Sequence, residues 1–165
     1  MDLREKIKSD LNNSLKKKEE LKTSTLRMLT SAILNKEKEK RSELSKKGEI
    51  GEEELEEKSK LNQEELTEVI FSEVKKRKES VSEYRKAGRE ELAEKEEKEI
   101  EILSDYLPEQ MSEDEIKEIA EKVINETGAS GMQDIGKVMS SIMPKVKGKA
   151  DGKMVNEIAR KLLSQ

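Results

Sequence analysis

Apolar residues recur along most of this chain at intervals of three and four, which place side chains on one face of an α-helix. The first segment shows this pattern plainly, because Leu3, Ile7, Leu11 and Leu15 are each four residues apart. No stretch of useful length alternates apolar and polar residues, which is the pattern of a half-buried strand. The sequence therefore predicts an all-α protein without a sheet.

Four helices are predicted before residue 109. Their spans are, in chain order, up to about Lys18, from about Glu20 to Ile33, from Leu66 to near Gly88, and from about Arg89 to Leu107. Glycine in a helix interior costs about 1 kcal/mol relative to alanine, so Gly88 should end the third helix. Pro108 should end the fourth, because the residue before a proline avoids helical backbone angles.

A charged run, residues 35–60, separates the second and third predicted helices. It holds few apolar residues and is interrupted by Gly48 and Gly51. This composition is typical of an exposed helical extension or of a mobile connection. In either case we expect the run to contribute little to a core.

Helix start and stop signals are sharper after residue 108. Ser112 and Glu115 have the spacing of a capping box, and Met111 and Ile116 are placed to form the accompanying hydrophobic staple. The helix that starts here should end at Gly128, since glycine suits the left-handed position that follows many helices.

Two further helices complete the C-terminal part of the chain. Ser130 is placed to cap the first of them, which should stop at Pro144, and Asp151 is placed to cap the last. We therefore predict two helical domains. Residues 1–108 form an extended domain of about four helices, and residues 109–165 form a small three-helix domain.

Composition narrows the class of protein. Of 165 residues, 44% are charged, 32% are hydrophobic and 2% are aromatic, so the core should be thin and large buried pockets are not expected. Cysteine and histidine are absent, which removes thiolate chemistry and the commonest general base and metal ligand near neutral pH. No apolar run resembles a signal peptide or a membrane span. We expect a cytoplasmic protein with no membrane segment, no metal and no cofactor.

No motif indicates a catalytic group. The pattern Ser-x-x-Lys occurs at residues 14–17 and 72–75, but such matches arise by chance in a lysine-rich chain. The sequence GKADG resembles part of a phosphate-binding loop, yet Met143 stands where that loop needs its first glycine, and Ala150 follows the lysine. The sequence therefore gives no support for an enzyme acting by itself.

Basic residues are concentrated near the C-terminus. From residue 137 onward there are seven basic and two acidic residues, a balance of +5, whereas the rest of the chain has 27 basic and 36 acidic residues, a balance of −9. The basic end contains the sequence MPKVKGKADG, residues 143–152. Such asymmetry indicates contact with an anion, although a solvated helix face can give the same count.

The lysines of this segment, Lys145, Lys147 and Lys149, occupy alternate positions. Alternate side chains of an extended segment point to opposite sides, so all three meet one surface only if the chain curls at Gly148. A nucleic-acid backbone would suit such a surface, and binding would depend on phosphate contacts and on salt, since the basic end has no aromatic residue to stack on bases. Solubilising lysines around an ordinary turn explain the pattern equally well.

The tail of the chain, GASGMQDIGKVMSSIMPKVKGKADGKMVNEIARKLL at residues 128–163, resembles the C-terminal domain of the YqeY family. That domain is shared with the tail of the B subunit of the tRNA-dependent Asp/Glu amidotransferase. Residues 26–33 and 75–116 extend the resemblance over nearly the whole chain, in the order of a stand-alone bacterial YqeY protein. The charged stretch from about 41 to 60 looks longer than is usual in the family.

This resemblance implies an all-helical, two-domain protein with tRNA as its expected partner. In the amidotransferase the tail domain contacts tRNA, while the reaction takes place in a separate N-terminal domain that this chain does not resemble. The resemblance therefore implies a non-catalytic, tRNA-binding or tRNA-associated module from a family related to carbon-nitrogen ligases that use glutamine as amido donor.

Two other functions stay open. The N-terminal helices could serve a protein-protein adaptor, and the chain could be a component of such a ligase.

The resemblance also assigns an RNA-contact surface. Its residues are Gly136, Lys137, Lys145, Lys147, Gly148, Lys149 and Gly152, with Lys153 added because of its position.

Overall fold

A computed structural model describes residues 2–48 and 51–164, and this part of the chain is helical without strands. The all-α prediction is confirmed. The helices are α1 (Leu3–Lys17), α2 (Glu20–Lys46), α3 (Glu52–Ser59), α4 (Gln63–Lys86), α5 (Glu90–Ser104), α6 (Glu113–Thr127), a 3-10 helix (Met132–Asp134), α7 (Ile135–Val146) and α8 (Gly152–Leu163).

The helices group into two compact units. The N-terminal unit runs to Leu107 and contains α1 to α5, and the C-terminal unit starts at Pro108 and contains α6 to α8. Each unit has its own cluster of buried apolar side chains. That the two units are independent folding domains stays a prediction.

The core of the N-terminal unit is built from the periodic apolar positions of α1, α2, α4 and α5, together with Leu61 before α4 and Tyr106 after α5. Its buried members are Ile7, Leu26, Leu29, Ile33, Leu61, Leu66, Ile70, Val74, Leu103 and Tyr106. Leu15 is an exception, because it lies on the predicted apolar face and yet is 44% exposed. Its neighbour Ser14 is buried instead, and the Ser14 hydroxyl accepts a hydrogen bond from the Thr23 hydroxyl at 2.9 Å.

A buried ion pair joins α4 to α5. Arg77 Nε donates to Glu99 Oε2 at 2.9 Å, and Arg77 Nη1 donates to Glu73 Oε2 at 3.0 Å. Arg77 and Glu99 are each 5% exposed. Burial alone would lower the pKa of Arg77, but its hydrogen bonds to the two carboxylates outweigh burial and raise that pKa. The Arg77 guanidinium thus stays charged at the interface between α4 and α5.

The charged run is more regular than a mobile connection. α2 continues through residues 35–46, and α3 occupies Glu52–Ser59, so the described part of the N-terminal unit has five helices and the prediction of about four is corrected. Glu37 connects the charged run to α1 and to the segment before α4. Its Oε1 accepts from Arg4 Nη2 at 2.6 Å and from the Leu61 N–H at 3.1 Å. Residues 49 and 50 lie outside the described residues.

The capping box of α6 is present as predicted. The Ser112 hydroxyl accepts from the Glu115 N–H, and Glu115 Oε2 accepts from the Ser112 N–H at 2.8 Å. The Ser112 N–H and hydroxyl both donate to the Glu115 carboxylate and hold its pKa below the ordinary value. Gly128 ends the helix with φ at 65°, which confirms the predicted left-handed position.

Two boundary predictions for α7 are wrong. Pro144 lies inside the helix, which continues to Val146. Burial of Val146 favours this continuation. Proline has no N–H to donate to the Ser140 carbonyl, but Ser140 is exposed, so water can bind that carbonyl instead. Ser130 does not cap the next helix with its side chain. Its N–H instead donates to Asp134 Oδ2 at 3.0 Å, so the aspartate of the short 3-10 helix reaches back to the preceding turn.

Candidate nucleic-acid interface

The segment between α7 and α8 is a tight turn. Lys147 has φ of −56° and ψ of 126°, Gly148 has φ of 73°, and the Lys149 N–H donates to the Val146 carbonyl at 2.9 Å. These features define a type II β-turn, which requires a positive φ at its third residue, where glycine carries no steric cost. The chain therefore turns at Gly148, which is the condition for Lys145, Lys147 and Lys149 to meet one surface, and that they form an RNA-contact surface stays a prediction. The three lysines do not lie on one extended segment, because Lys145 belongs to the last turn of α7.

We name residues 145–153 the basic turn. Buried side chains anchor it, since Val146 is fully buried and Ala150 is 8% exposed in the same core cluster. Asp151 caps α8 as predicted, and its Oδ1 accepts from the Lys153 N–H at 2.7 Å. The backbone of the basic turn is therefore fixed at both ends by packing and by capping.

The chain just before α6 holds the basic turn from the other side. Gln110 Nε2 donates to the Gly148 carbonyl at 3.1 Å and to the Pro108 carbonyl at 2.9 Å, and the Met111 N–H donates to the Lys149 carbonyl at 2.8 Å. Sequence reasoning missed these supports, because they join residues 38 positions apart and have no local signal. The carbonyls of Gly148 and Lys149 thus accept hydrogen bonds from the segment before α6.

The predicted lysines divide into two locations. Lys145, Lys147, Lys149 and Lys153 are exposed on the basic turn. Lys137 lies about 12 Å farther back along α7 from Lys145, at 1.5 Å per residue. The following contacts orient two of them: Lys137 Nζ donates to the Thr127 carbonyl at 2.9 Å, and Lys145 Nζ lies 3.4 Å from Glu126 Oε2. Lys137 and Lys145 therefore point toward the C-terminal end of α6.

Two of the predicted glycines are not required by internal packing. A Cβ added at Gly136, an exposed residue in the first turn of α7, would meet no heavy atom within 4 Å. A Cβ at Gly152 would meet Met143 Cε at 3.5 Å, an ordinary contact. The backbone is thus uncovered at Gly136, while Gly152 is partly covered by Met143, and neither position would meet a steric clash on gaining a Cβ.

Charge is segregated within the C-terminal unit. Residues 109–126 contain seven acidic and two basic residues, whereas residues 134–165 contain seven basic and three acidic residues. The sum over residues 108–165 is nine basic against ten acidic, or −1. The acidic residues are thus concentrated on and before α6, and the basic residues on α7, the basic turn and α8.

Residues 2–48 and 51–164 offer little to other kinds of site. No group of acidic side chains in these residues could hold a metal ion, and none of their helices is long and apolar enough to cross a bilayer. A groove of about 930 Å³ lies between α2 and α4, and several of its lining charges form ion pairs with one another, as in Lys36 with Glu39 and Lys40 with Glu65. The basic turn is therefore the candidate site.

Comparison with known proteins places the chain in a family. A family model described as Yqey-like protein matches residues 4–51 and 46–163. Over 59 residues, the chain is 37% identical to the E subunit of the glutamyl-tRNA(Gln) amidotransferase of Thermococcus sibiricus. That match covers 33% of this chain and 9% of the relative, so the aligned segment spans less than a tenth of the relative's length.

Proposed function

Because the chain belongs to the Yqey-like protein family, we propose that it is a non-catalytic, tRNA-associated module whose basic turn contacts RNA phosphates. Membership of this family was predicted from the tail sequence and is confirmed. The relative from Thermococcus sibiricus is by its name part of an enzyme that acts on glutamyl-tRNA. This name supports tRNA as the partner proposed here.

One observation carries the proposal. The basic turn presents exposed Lys145, Lys149 and Lys153 within nine residues, on a backbone that Gln110 and Met111 hold in place. Phosphate groups are bound mainly by lysine, arginine and backbone N–H groups, and such contacts position a protein on nucleic acid without reading its sequence. A rigid turn loses little conformational freedom on binding, so its lysines can contribute more of their attraction to affinity.

The proposal includes no reaction by this chain. Histidine and cysteine are absent from the sequence, and the carboxylates are mostly on solvated helix faces. Glu96 has its pKa raised by burial and by the nearby charge of Glu99, but it lies beside the buried ion pair rather than in a cleft. Any chemistry on the bound tRNA would come from another protein.

A matched pair of variants tests the proposal. Lys145→Gln/Lys149→Gln removes two charges from the basic turn, and Lys117→Gln/Lys122→Gln removes two from exposed positions on α6. Labelled total tRNA is titrated by fluorescence polarisation at several salt concentrations between about 50 and about 200 mM. We expect the basic-turn variant to lose affinity and to reduce the slope of log K against log salt by about 0.7–0.9 per lost phosphate contact.

The control variant should bind as the wild type does. Equal slopes for the two variants, with both still helical by circular dichroism, would contradict the assignment of the basic turn. A wild-type protein that does not bind tRNA even at low salt would refute tRNA association itself. That outcome would favour the adaptor function, for which the groove between α2 and α4, with Met28 54% exposed, is the first surface to test.

A further inference from the structure

We propose that Arg160, oriented by Asn156, binds an RNA phosphate, and that the contact surface continues from the basic turn along one face of α8. This inference rests on the proposed function and adds a residue outside the family-derived set. It rests on three features of α8: the position of its polar residues, the fixed orientation of one guanidinium group, and the charges around that group.

The first feature is a shared helix face. Lys153, Asn156 and Arg160 are spaced i, i+3 and i+7, so they follow one another along the same side of α8. The buried residues Val155 and Ala159 point to the core instead. At 1.5 Å per residue, Arg160 lies about 10 Å along the helix from Lys153. The face therefore extends the exposed cations of the basic turn by two helical turns.

The second feature is the hydrogen bond from Arg160 Nε to Asn156 Oδ1, at 2.8 Å. This bond uses one of the five guanidinium N–H groups, and the four N–H groups of the two Nη nitrogens make no hydrogen bond within residues 2–48 and 51–164. Arginine recognises phosphate through two parallel N–H donors in a planar fork, and fixing the fork in advance reduces the ordering cost of binding. Asn156 thus orients the group without neutralising its charge.

The third feature is that the charge of Arg160 is not paired. Arg4 and Arg85 form ion pairs with Glu37 and Glu97 at 2.6 and 2.9 Å. Over residues 2–48 and 51–164, no carboxylate oxygen lies within 4.0 Å of the Arg160 guanidinium, whose side-chain bond is to an amide. Arg160 is also the only arginine after residue 107. Within the described residues, its charge and its four Nη N–H donors therefore have no protein partner and are available to an external anion.

Glu157 gives the inference a prediction of opposite sign. Glu157 is exposed, follows Lys153 by four residues and precedes Arg160 by three, so its carboxylate lies beside the proposed phosphate path. No ion pair joins it to either cation in the described part of the chain. Glu157→Gln should therefore raise tRNA affinity, because it removes repulsion between a carboxylate and a phosphate.

Two substitutions that retain the positive charge at position 160 distinguish recognition by the planar guanidinium fork from simple charge attraction. Arg160→Lys retains the positive charge but loses the fork, and Asn156→Ala retains the arginine but releases its orientation. We expect Arg160→Lys to weaken binding of total tRNA by about tenfold and Asn156→Ala by about threefold, as one charged hydrogen bond or its preorganisation is lost. Arg89→Lys, at an exposed position before α5, is the matched control and should bind as the wild type does.

The salt dependence excludes a purely structural explanation. Arg160→Lys should lower affinity while leaving the slope of log K against log salt unchanged, because the number of neutralised phosphates stays the same. Arg160→Gln should lower the affinity and also reduce the magnitude of that slope, because one phosphate contact is lost. Misfolding would reduce helicity by circular dichroism, so each variant is checked for it before titration.

Each outcome has a defined meaning. If the wild type and the Lys145→Gln/Lys149→Gln variant differ but Arg160→Lys binds like the wild type, the proposed function stands and this inference is overturned. If Arg160→Lys weakens binding but Asn156→Ala does not, the orienting role of Asn156 is overturned. If the wild type does not bind tRNA, the proposed function fails first, and the phosphate assignment of Arg160 fails with it.

Discussion

The buried ion pair between α4 and α5 makes a quantitative prediction about the N-terminal unit. The variant Arg77→Met removes the guanidinium and retains a long apolar side chain. Glu73 would keep Lys76, whose Nζ lies 2.8 Å from its Oε1, but Glu99 would lose its hydrogen-bond partner inside the helix interface. The side chain of Glu99 is only 7% exposed, so water cannot replace the arginine fully.

Removing one partner of a buried ion pair costs about 3–5 kcal/mol, mainly because the other charge is left uncompensated. A domain of this size is stable by about 5–15 kcal/mol, so Arg77→Met should remove a large part of the stability of the unit. Glu99→Gln should cost less, about 1.5–3 kcal/mol, because Arg77 keeps its bond to Glu73 at 3.0 Å. The double variant Arg77→Met/Glu99→Leu should be more stable than Arg77→Met alone, since it leaves no buried charge behind.

Urea denaturation followed by circular dichroism measures these differences, provided that the slope m stays constant between variants. An exposed pair at the surface, such as Lys86 with Glu83, supplies the control, because Lys86→Met should change stability by less than about 1 kcal/mol. A cost below about 1 kcal/mol for Arg77→Met would refute the reasoning. A double variant less stable than Arg77→Met would refute it as well.

Three further predictions concern the C-terminal unit. Gly148→Ala should lower the free energy of unfolding measured in urea by about 1–2 kcal/mol, the cost of a non-glycine residue in the left-handed region, whereas Gly136→Ala should raise it by up to about 1 kcal/mol. Equal shifts in one direction would contradict this contrast. Gln110→Ala should accelerate hydrogen exchange of the amides in the basic turn while leaving exchange in mid-α6 unchanged, because the bond to the Gly148 carbonyl is lost. The pKa of Glu115 is lowered by its bonds with Ser112, so the contribution of Glu115 to stability is complete above the ordinary pKa of 4.5 and is lost as the pH falls through the lowered pKa. In Glu115→Gln, the urea midpoint should therefore depend less on pH in that acidic range.

The sequence predicted the features of the fold that depend on neighbouring residues. The capping box at Ser112 and the left-handed Gly128 are local, and both are confirmed. Pro144 was misjudged because the burial of Val146 decides where α7 ends, and burial depends on residues elsewhere in the chain. Tertiary packing in this case outweighs the local preference of proline.

The buried ion pair had a sequence signal that the apolar pattern concealed. Arg77 occupies the same helix face as Ile70, Val74 and Val81, at positions i, i+4, i+7 and i+11. An arginine at a core position indicates a buried partner, but which carboxylate fills that role depends on how α5 packs. The supports of the basic turn had no such signal, because Gln110 and Gly148 meet only in the folded unit.

The segregation of charge in the C-terminal unit affects how this unit would meet a polyanion. Its net charge of −1 gives almost no long-range attraction, so it behaves as an electric dipole with an acidic side at α6 and a basic side at α7 and α8. At physiological salt, fields decay over about 8 Å, and only the nearer side is then felt by an approaching phosphate backbone. Encounters in the wrong orientation are repelled before contact, and those with the basic side forward are retained. Orientation at close range, rather than total charge, would then select productive collisions.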